Sequence, residues 1–271
     1  MAAAIATRKP AGRVRFGSAR RLALSLLGPV VVLALWELVS VAGLIDPLIL
    51  PSPVAVAAGL VSLMQDGTLE QDAAISLWRI LVGWIVGSAV AIPIGLAVGA
   101  YPTVRQIADP FIHFFRFVPS IALITLFILW FGVGEQSKVA LIVYAAGFIV
   151  LVNTATGVVA IPSDKLDAAR CLGASRRQLF FSVIAPASVP YIFVGMRLAL
   201  ASAFLVIVGA EIIAANSGLG YLTWVARLYF KVDWVFAGVF TIGVAGFVCD
   251  GLWLLVGRTV LARYLGQIAN Y

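Results

Sequence analysis

Five ionisable side chains fall inside long apolar runs: Glu37, Arg79, Arg197, Glu211 and Asp250. A charge in such surroundings is costly unless it meets an opposite charge or a water-filled path. Their types therefore offer two kinds of chemistry: structural ion pairing, or the lining of a transport route. Counted along their runs, Glu37, Arg79 and Glu211 share one depth, while Arg197 and Asp250 share another. We expect Arg79 to pair with Glu37 or Glu211, and Arg197 with Asp250. Ser120, Thr125, Asn153, Thr154, Thr156 and Ser202 are the uncharged polar candidates for a route. Such side chains more often bond their own helix backbone.

Other chemistries are poorly served. His113 is the sole histidine, and Cys171 and Cys249 are the only cysteines. They give neither a disulfide framework nor metal-ligand spacing, and no metal or cofactor site is expected. A membrane-embedded enzyme would gather His, Asp or Ser near one depth, and these carboxylates are scattered. None of Lys9, Lys138, Lys165 and Lys231 follows a glycine, which excludes a Walker A loop.

The elements that must hold these groups follow from composition. The 271 residues are 62% hydrophobic and 11% charged, with a mean hydropathy of +1.07. A soluble domain carries about 25% charged residues, so the expected solvent is a lipid bilayer. The net charge of +7 would suit nucleic acid only on a soluble basic face, and no nucleic-acid partner is expected. Runs of about 20 apolar residues predict an all-α chain with six membrane spans near 22–44, 73–99, 117–133, 138–160, 187–214 and 234–257. The third is short, and starts as early as Phe111 if Pro119 merely kinks it.

Lysine and arginine in the loops give the orientation. One side collects fourteen: Arg8, Lys9, Arg13, Arg15, Arg20, Arg21, Arg105, Arg116, Lys165, Arg170, Arg176, Arg177, Arg258 and Arg263. The other has three, Lys138, Arg227 and Lys231. Both termini and the 163–186 stretch are thus expected in the cytoplasm. The resulting organisation is a basic cytoplasmic tail (1–21), a membrane domain (22–258) and a C-terminal cytoplasmic tail (259–271). The run after the basic tail is too long for a signal-peptide core and reads as an uncleaved first span.

Two further patterns concern packing. Gly83, Gly87, Ala91, Gly95 and Gly99 recur every fourth residue, a ridge of roughly 24 Å along a helix. Small residues so spaced let two helices approach closely in lipid. The 163–186 stretch, in contrast, is polar and carries helix signals. Ser163 and Asp164 predict an N-terminus, and Leu166, Ala169 and Leu172 lie near one face. Gly173 predicts a stop, and Ser175 with Gln178 a capping box opening a second short helix. Arg176 and Arg177 start that helix, where the dipole does not favour cations, so an external purpose is expected. Pro186 marks entry into the fifth span.

This stretch resembles the Glu-Ala-Ala loop of bacterial ABC-transporter permeases, E-A-A, three residues, Gly, nine residues, I-x-L-P. Asp167, Ala168, Ala169, Gly173, Val183 and Pro186 fall at matching positions, with Asp167 in place of Glu and Ala185 in place of Leu. L-P-S-P at 50–53, S-L-W-R at 76–79, R-Q-I-A-D-P at 105–110 and I-L-W-F-G-V-G-E-Q-S-K at 128–138 resemble the sulfonate/taurine/nitrate type. So do L-G-A-S-R at 172–176, G-A-E-I-I-A-A at 209–215 and G-L-G-Y at 218–221. The likeness covers roughly residues 45–258.

The resemblance implies the type I ABC importer permease fold and a subunit of an ATP-driven importer in a bacterial inner membrane. It implies a permease homodimer or heterodimer, two ABC ATPase subunits that bind ATP and Mg, and an extracytoplasmic solute-binding protein. Asp167, Ala168, Ala169, Arg170, Gly173, Ala174, Ser175, Arg176, Arg177 and Pro186 would then form the ATPase-coupling loop. Glu37, Arg79, Arg197, Glu211, Asp250 and Asn153 are the possible pathway residues. The implied cargo is a sulfonate, taurine, nitrate or similar organic anion; the alternatives are a vitamin or pyrimidine precursor, or a secondary transporter, which would show repeated halves.

Overall fold

The computed structural model describes residues 18–265, so most of the basic tail and the end of the C-terminal tail lie outside the described residues. The chain divides into two compact units that meet at residues 55 and 56. In the first, helix α1 (Ser18–Val41) is followed by an irregular segment. Trp36 Nε1 donates to Pro51 O at 3.0 Å, and Asp46 Oδ1 accepts from Leu48 N at 2.8 Å. Glu37 belongs to this unit. Helix α2 (Pro53–Gln65) begins at the junction, where Ser52 Oγ accepts from Ala55 N.

The second unit continues with α3 (Thr68–Ala100), α4 (Pro102–Phe115), a 3-10 turn (Ser120–Leu123), α5 (Ile124–Phe131) and α6 (Glu135–Val159). Then come α7 (Ser163–Cys171), a single turn α8 (Arg176–Gln178), a π segment (Leu179–Ile184) and α9 (Ala185–Ala214). Helices α10 (Leu219–Leu228), α11 (Val232–Thr259) and α12 (Ala262–Leu265) complete it, and no strand occurs among the described residues.

Four helical runs among the described residues are long and apolar enough to cross a membrane: Thr68–Ala100, Glu135–Val159, Arg176–Ala214 and Val232–Thr259. They correspond to the second, fourth, fifth and sixth expected spans. The third differs. Helix α4 and the 3-10/α5 segment meet at a bend of 87°, so it is a broken pair rather than one kinked rod. Pro119 lacks an N–H and its ring excludes the helical conformation of the residue before it.

Helices α3, α6 and α9 form the centre. Ile80, Leu141, Ile142, Ala146, Val150, Ala199, Ala203 and Ile207 bury their side chains between them. The glycine ridge of α3 makes the expected seam, and its partner is α6. A Cβ built on Gly83 would stand 2.6 Å from Ile142 Cβ, and one on Gly87 2.8 Å from Val143 O. On Gly95 and Gly99 it would meet Thr154 Cβ at 2.7 Å and Val158 Cβ at 2.5 Å. All are inside van der Waals contact, so only glycine admits this approach. Trp84 links α3 to α9 and α11. Its Nε1 donates to Met196 O at 2.8 Å, and its ring meets Trp253 edge-on at 5.0 Å.

Candidate functional site

Arg79 stands at the centre of a buried polar knot. Its Nη1 donates to Glu211 Oε1 at 2.7 Å and to Ser217 O at 2.8 Å. Its Nε and Nη2 grip both oxygens of Glu135, each at 2.6 Å. This bidentate fork matches guanidinium to carboxylate geometry, the strongest ion-pair arrangement available to a protein. Arg79 is 1% and Glu211 0% exposed. Lys138 approaches the other side of Glu135, with Nζ at 3.4 Å.

The same knot closes the start of α10. Gly218 N donates to Asp72 Oδ1 at 2.7 Å, Leu219 N to Ser76 Oγ at 2.9 Å and Gly220 N to Glu211 Oε2 at 2.9 Å. The first N–H groups of a helix have no partner within it and carry partial positive charge. Here two carboxylates and a hydroxyl from α3 and α9 satisfy them. Ser76 Oγ in turn donates to Glu211 Oε1 at 2.7 Å. Gly218 has φ +115°, and a Cβ there would strike the Glu211 carboxylate, so the chain needs glycine at this position.

Of the two partners expected for Arg79, the structure pairs it with Glu211. Glu135, Asp72 and Ser217 fall outside the expected spans, and Ser76, inside one, carries no charge to mark it. One signal was available. The segments S-L-W-R, G-V-G-E-Q-S-K, G-A-E-I-I-A-A and G-L-G-Y meet in this single knot.

Arg197 and Asp250 form the second inter-helix pair, Nε to Oδ1 at 2.6 Å and Nη2 to Oδ2 at 2.7 Å. Here the side chains are 45% and 37% exposed. Asn153 donates from Nδ2 to Ile149 O at 2.8 Å, and Thr156 Oγ1 to Val152 O at 2.8 Å. Both make the backbone bonds expected of helix polar residues. Thr154 is buried in the α3–α6 seam, and Thr125 is exposed.

The 163–186 stretch stands exposed. Pro162 is the N-cap of α7 and Ser163 its first residue, with no side-chain cap bond. The expected Ser163 cap is therefore displaced by one residue, because proline already fixes the extended entry. At the other end Gly173 has φ +78°, Gly173 N bonds Arg170 O at 2.9 Å and Ala174 N bonds Ala169 O at 3.1 Å. These two bonds are the Schellman stop. The capping box follows: Gln178 N donates to Ser175 Oγ at 3.3 Å, and Ser175 N to Gln178 Oε1 at 2.8 Å.

Two readings of this stretch change. Leu166 packs towards Leu96, Val158 and Ile184, but Leu172 is the C-cap and is 88% exposed. And the helix opened by Ser175 does not stop before Pro186. It runs through the π segment directly into α9, where Ala185 N bonds Phe180 O. The widened turn accommodates Pro186, which has no N–H to offer the ladder. Arg170 Nη1 lies 2.8 Å from Asp167 Oδ1 on the α7 surface. Arg176, Arg177, Ser175 and Ala168 are exposed, with Ala169, Ala174 and Pro186 half-buried.

Residues 87–261 match the family model described as binding-protein-dependent transport system inner membrane component. The chain belongs to this family. A probable ABC transporter permease protein of Brucella melitensis is 40% identical to this inner-membrane component over 231 residues, 85% of this chain and 93% of that protein. The taurine transport system permease protein of Escherichia coli is 37% identical over 241 residues, covering 87% and 88%. Among solved structures, the inward-facing MetNI methionine ABC transporter superposes with a TM-score of 0.60 at 16% identity, over 74% of this chain and 97% of that one. The fold of this inner-membrane component is that of the type I ABC importer permeases.

Proposed function

We propose that this permease moves a small sulfonate or related organic anion, and that ATP hydrolysis by a separate pair of ABC ATPases drives it through the 163–186 hairpin. The observation that carries the coupling assignment is the hairpin itself. Its Schellman stop and capping box lock both sides of the bend, and Leu172, Arg176 and Arg177 are exposed among the described residues. Ala168 and Ala169 keep α7 slim enough to enter a groove. The exposed arginines offer charge-assisted bonds to carboxylates on a partner.

On this reading the chain crosses a bacterial inner membrane six times with both termini in the cytoplasm. The cytoplasmic tails flank the membrane domain. The chain pairs with a second permease, identical or homologous, and receives cargo from an extracytoplasmic binding protein. ATP and Mg belong to the partner subunit. The likeness to a taurine permease supports the cargo class.

Purification from native membranes is expected to bring down a stoichiometric ABC ATPase; its absence would count against coupling. Gly173→Leu is expected to insert and assemble normally, because no atom lies within 4 Å of the added Cβ, while the positive φ costs about 1 kcal/mol or more. In proteoliposomes the variant should hydrolyse ATP without driving uptake. Unchanged uptake would refute the coupling assignment. A thermal-shift screen of the cognate binding protein would identify the cargo.

A further inference from the structure

The bend between α4 and the 3-10 turn opens onto a cleft of about 420 Å³, lined by Arg116, Ser120, Tyr144, Asn153 and Ser202 among apolar neighbours. Irregular backbone at membrane depth is tolerated only where protein buries it or where it borders a wet cavity. Interrupted helices at such cavities are also where transporters hold their cargo. Asn153 lies six residues, about 9 Å, from the α6 end at Val159, which puts the cleft in the inner half of that helix.

Charge decides what this cleft can hold. Arg116 has no carboxylate within 4 Å among the described residues, and its guanidinium lies 4.7 Å from the centre of the Phe117 ring. Asp109, an acid in the adjoining cleft that Arg116 also borders, sits 3.5 Å from Arg105. The Ser120 and Ser202 hydroxyls make no side-chain hydrogen bond among the described residues. Asn153 keeps one amide N–H beyond its bond to Ile149 O, and Tyr144 Oη is spent on Phe115 O at 2.8 Å. A guanidinium without a carboxylate partner that lines one cleft with free hydroxyl and amide donors is complementary to a small oxyanion and unfavourable for a cation.

We propose that this cleft is a cargo-binding station for the anion, with Arg116 supplying the charge and Ser120, Asn153 and Ser202 the directional hydrogen bonds. The cargo assignment rests on the importer reading, but the binding test does not require an ATPase. The full chain is purified with its bound partners, carrying Cys171→Ser and Cys249→Ala, and Ser202→Cys serves as reporter. Two thiol reagents of similar size are compared, 2-sulfonatoethyl methanethiosulfonate and its 2-trimethylammonioethyl counterpart, each normalised to its rate with free thiol.

The sulfonate reagent is expected to win by about tenfold, the scale of one unscreened charge at several ångströms. The preference should persist in Arg116→Lys and vanish in Arg116→Gln. A Leu172→Cys control should give a ratio indifferent to Arg116. Equal rates at Ser202→Cys in the parent background would overturn the proposal, whether or not Arg116→Gln folds. So would a preference that survives Arg116→Gln. Repeating the assay in phosphatidylcholine and phosphatidylglycerol nanodiscs separates the two anion sources. The same preference in both supports a soluble anion; its loss only with phosphatidylglycerol assigns the cleft to a lipid headgroup and overturns the cargo station. An ATPase that fails to co-purify would sink the importer reading while leaving the reagent result intact.

Discussion

Arg79 and Arg197 each reach a carboxylate on another helix, at 2.7 and 2.6 Å, yet their surroundings are opposite. The Arg79–Glu211 pair is itself buried and shared with the half-exposed Glu135 and with Ser76, Ser217 and the start of α10. The Arg197–Asp250 pair is open over more than a third of each side chain and has no further side-chain hydrogen-bond partner among the described residues. Contact distance is therefore a poor guide to what an ion pair does. The first pair organises backbone and cannot be dismantled piecemeal; the second joins α9 to α11 and leaves its outer edge available.

The sharpest way to break this contrast is to remove one charge from the sealed pair. Arg79→Met should be the most damaging, costing about 3–5 kcal/mol because Glu211 is left buried without its partner. The loss would be read as monodisperse protein surviving a heating series. Adding Glu211→Gln should recover much of it, since Glu135 retains Lys138 at 3.4 Å. A charge swap, Arg79→Glu with Glu211→Arg, should recover little, because the new acid faces Glu135. A swap that restores full stability would show that Glu135 does not share the pair.

Next in size is Gly218→Ala, where a positive-φ extended backbone essentially reserved for glycine costs about 1–3 kcal/mol before the collision with Glu211. Loss of the α10 cap should lower thermal stability without altering the Arg197 region. The smallest effect belongs to Asp250→Asn. Asparagine keeps an acceptor for Arg197, whose side chain protein covers only in part, so melting should shift less than in Arg79→Met. A collapse equal to that of Arg79→Met would mean that the two pairs are equivalent after all.

Much of this arrangement was legible from residue types. Depth along the apolar runs suffices to match Arg197 with Asp250 and to narrow the partner of Arg79 to Glu37 or Glu211, because a lipid-buried charge has few affordable partners. The glycine ridge announced the α3 seam, since four-residue spacing has one steric meaning in a helix. The capping box and Gly173 stop are local motifs, decided within six residues. What escaped notice depends on distant pieces of chain. Asp72, Ser76 and Glu135 sit near run ends, and their value appears only when the α9–α10 turn folds back onto them. The third span escaped because hydropathy counts residues without direction, and an apolar run can bend through 87° without changing its count.

The uninterrupted run from Arg176 to Ala214 has a mechanical consequence. Its 39 residues extend about 58 Å, against a hydrocarbon core about 30 Å thick. Even with generous tilt, several turns stand proud of the bilayer. The exposed bend before Arg176 thus caps the end of a strut, continuous in its backbone with the element that carries Arg197, Ser202 and Glu211. A tilt of that rod at Arg176 carries those residues with it, through the π segment at Leu179–Ile184.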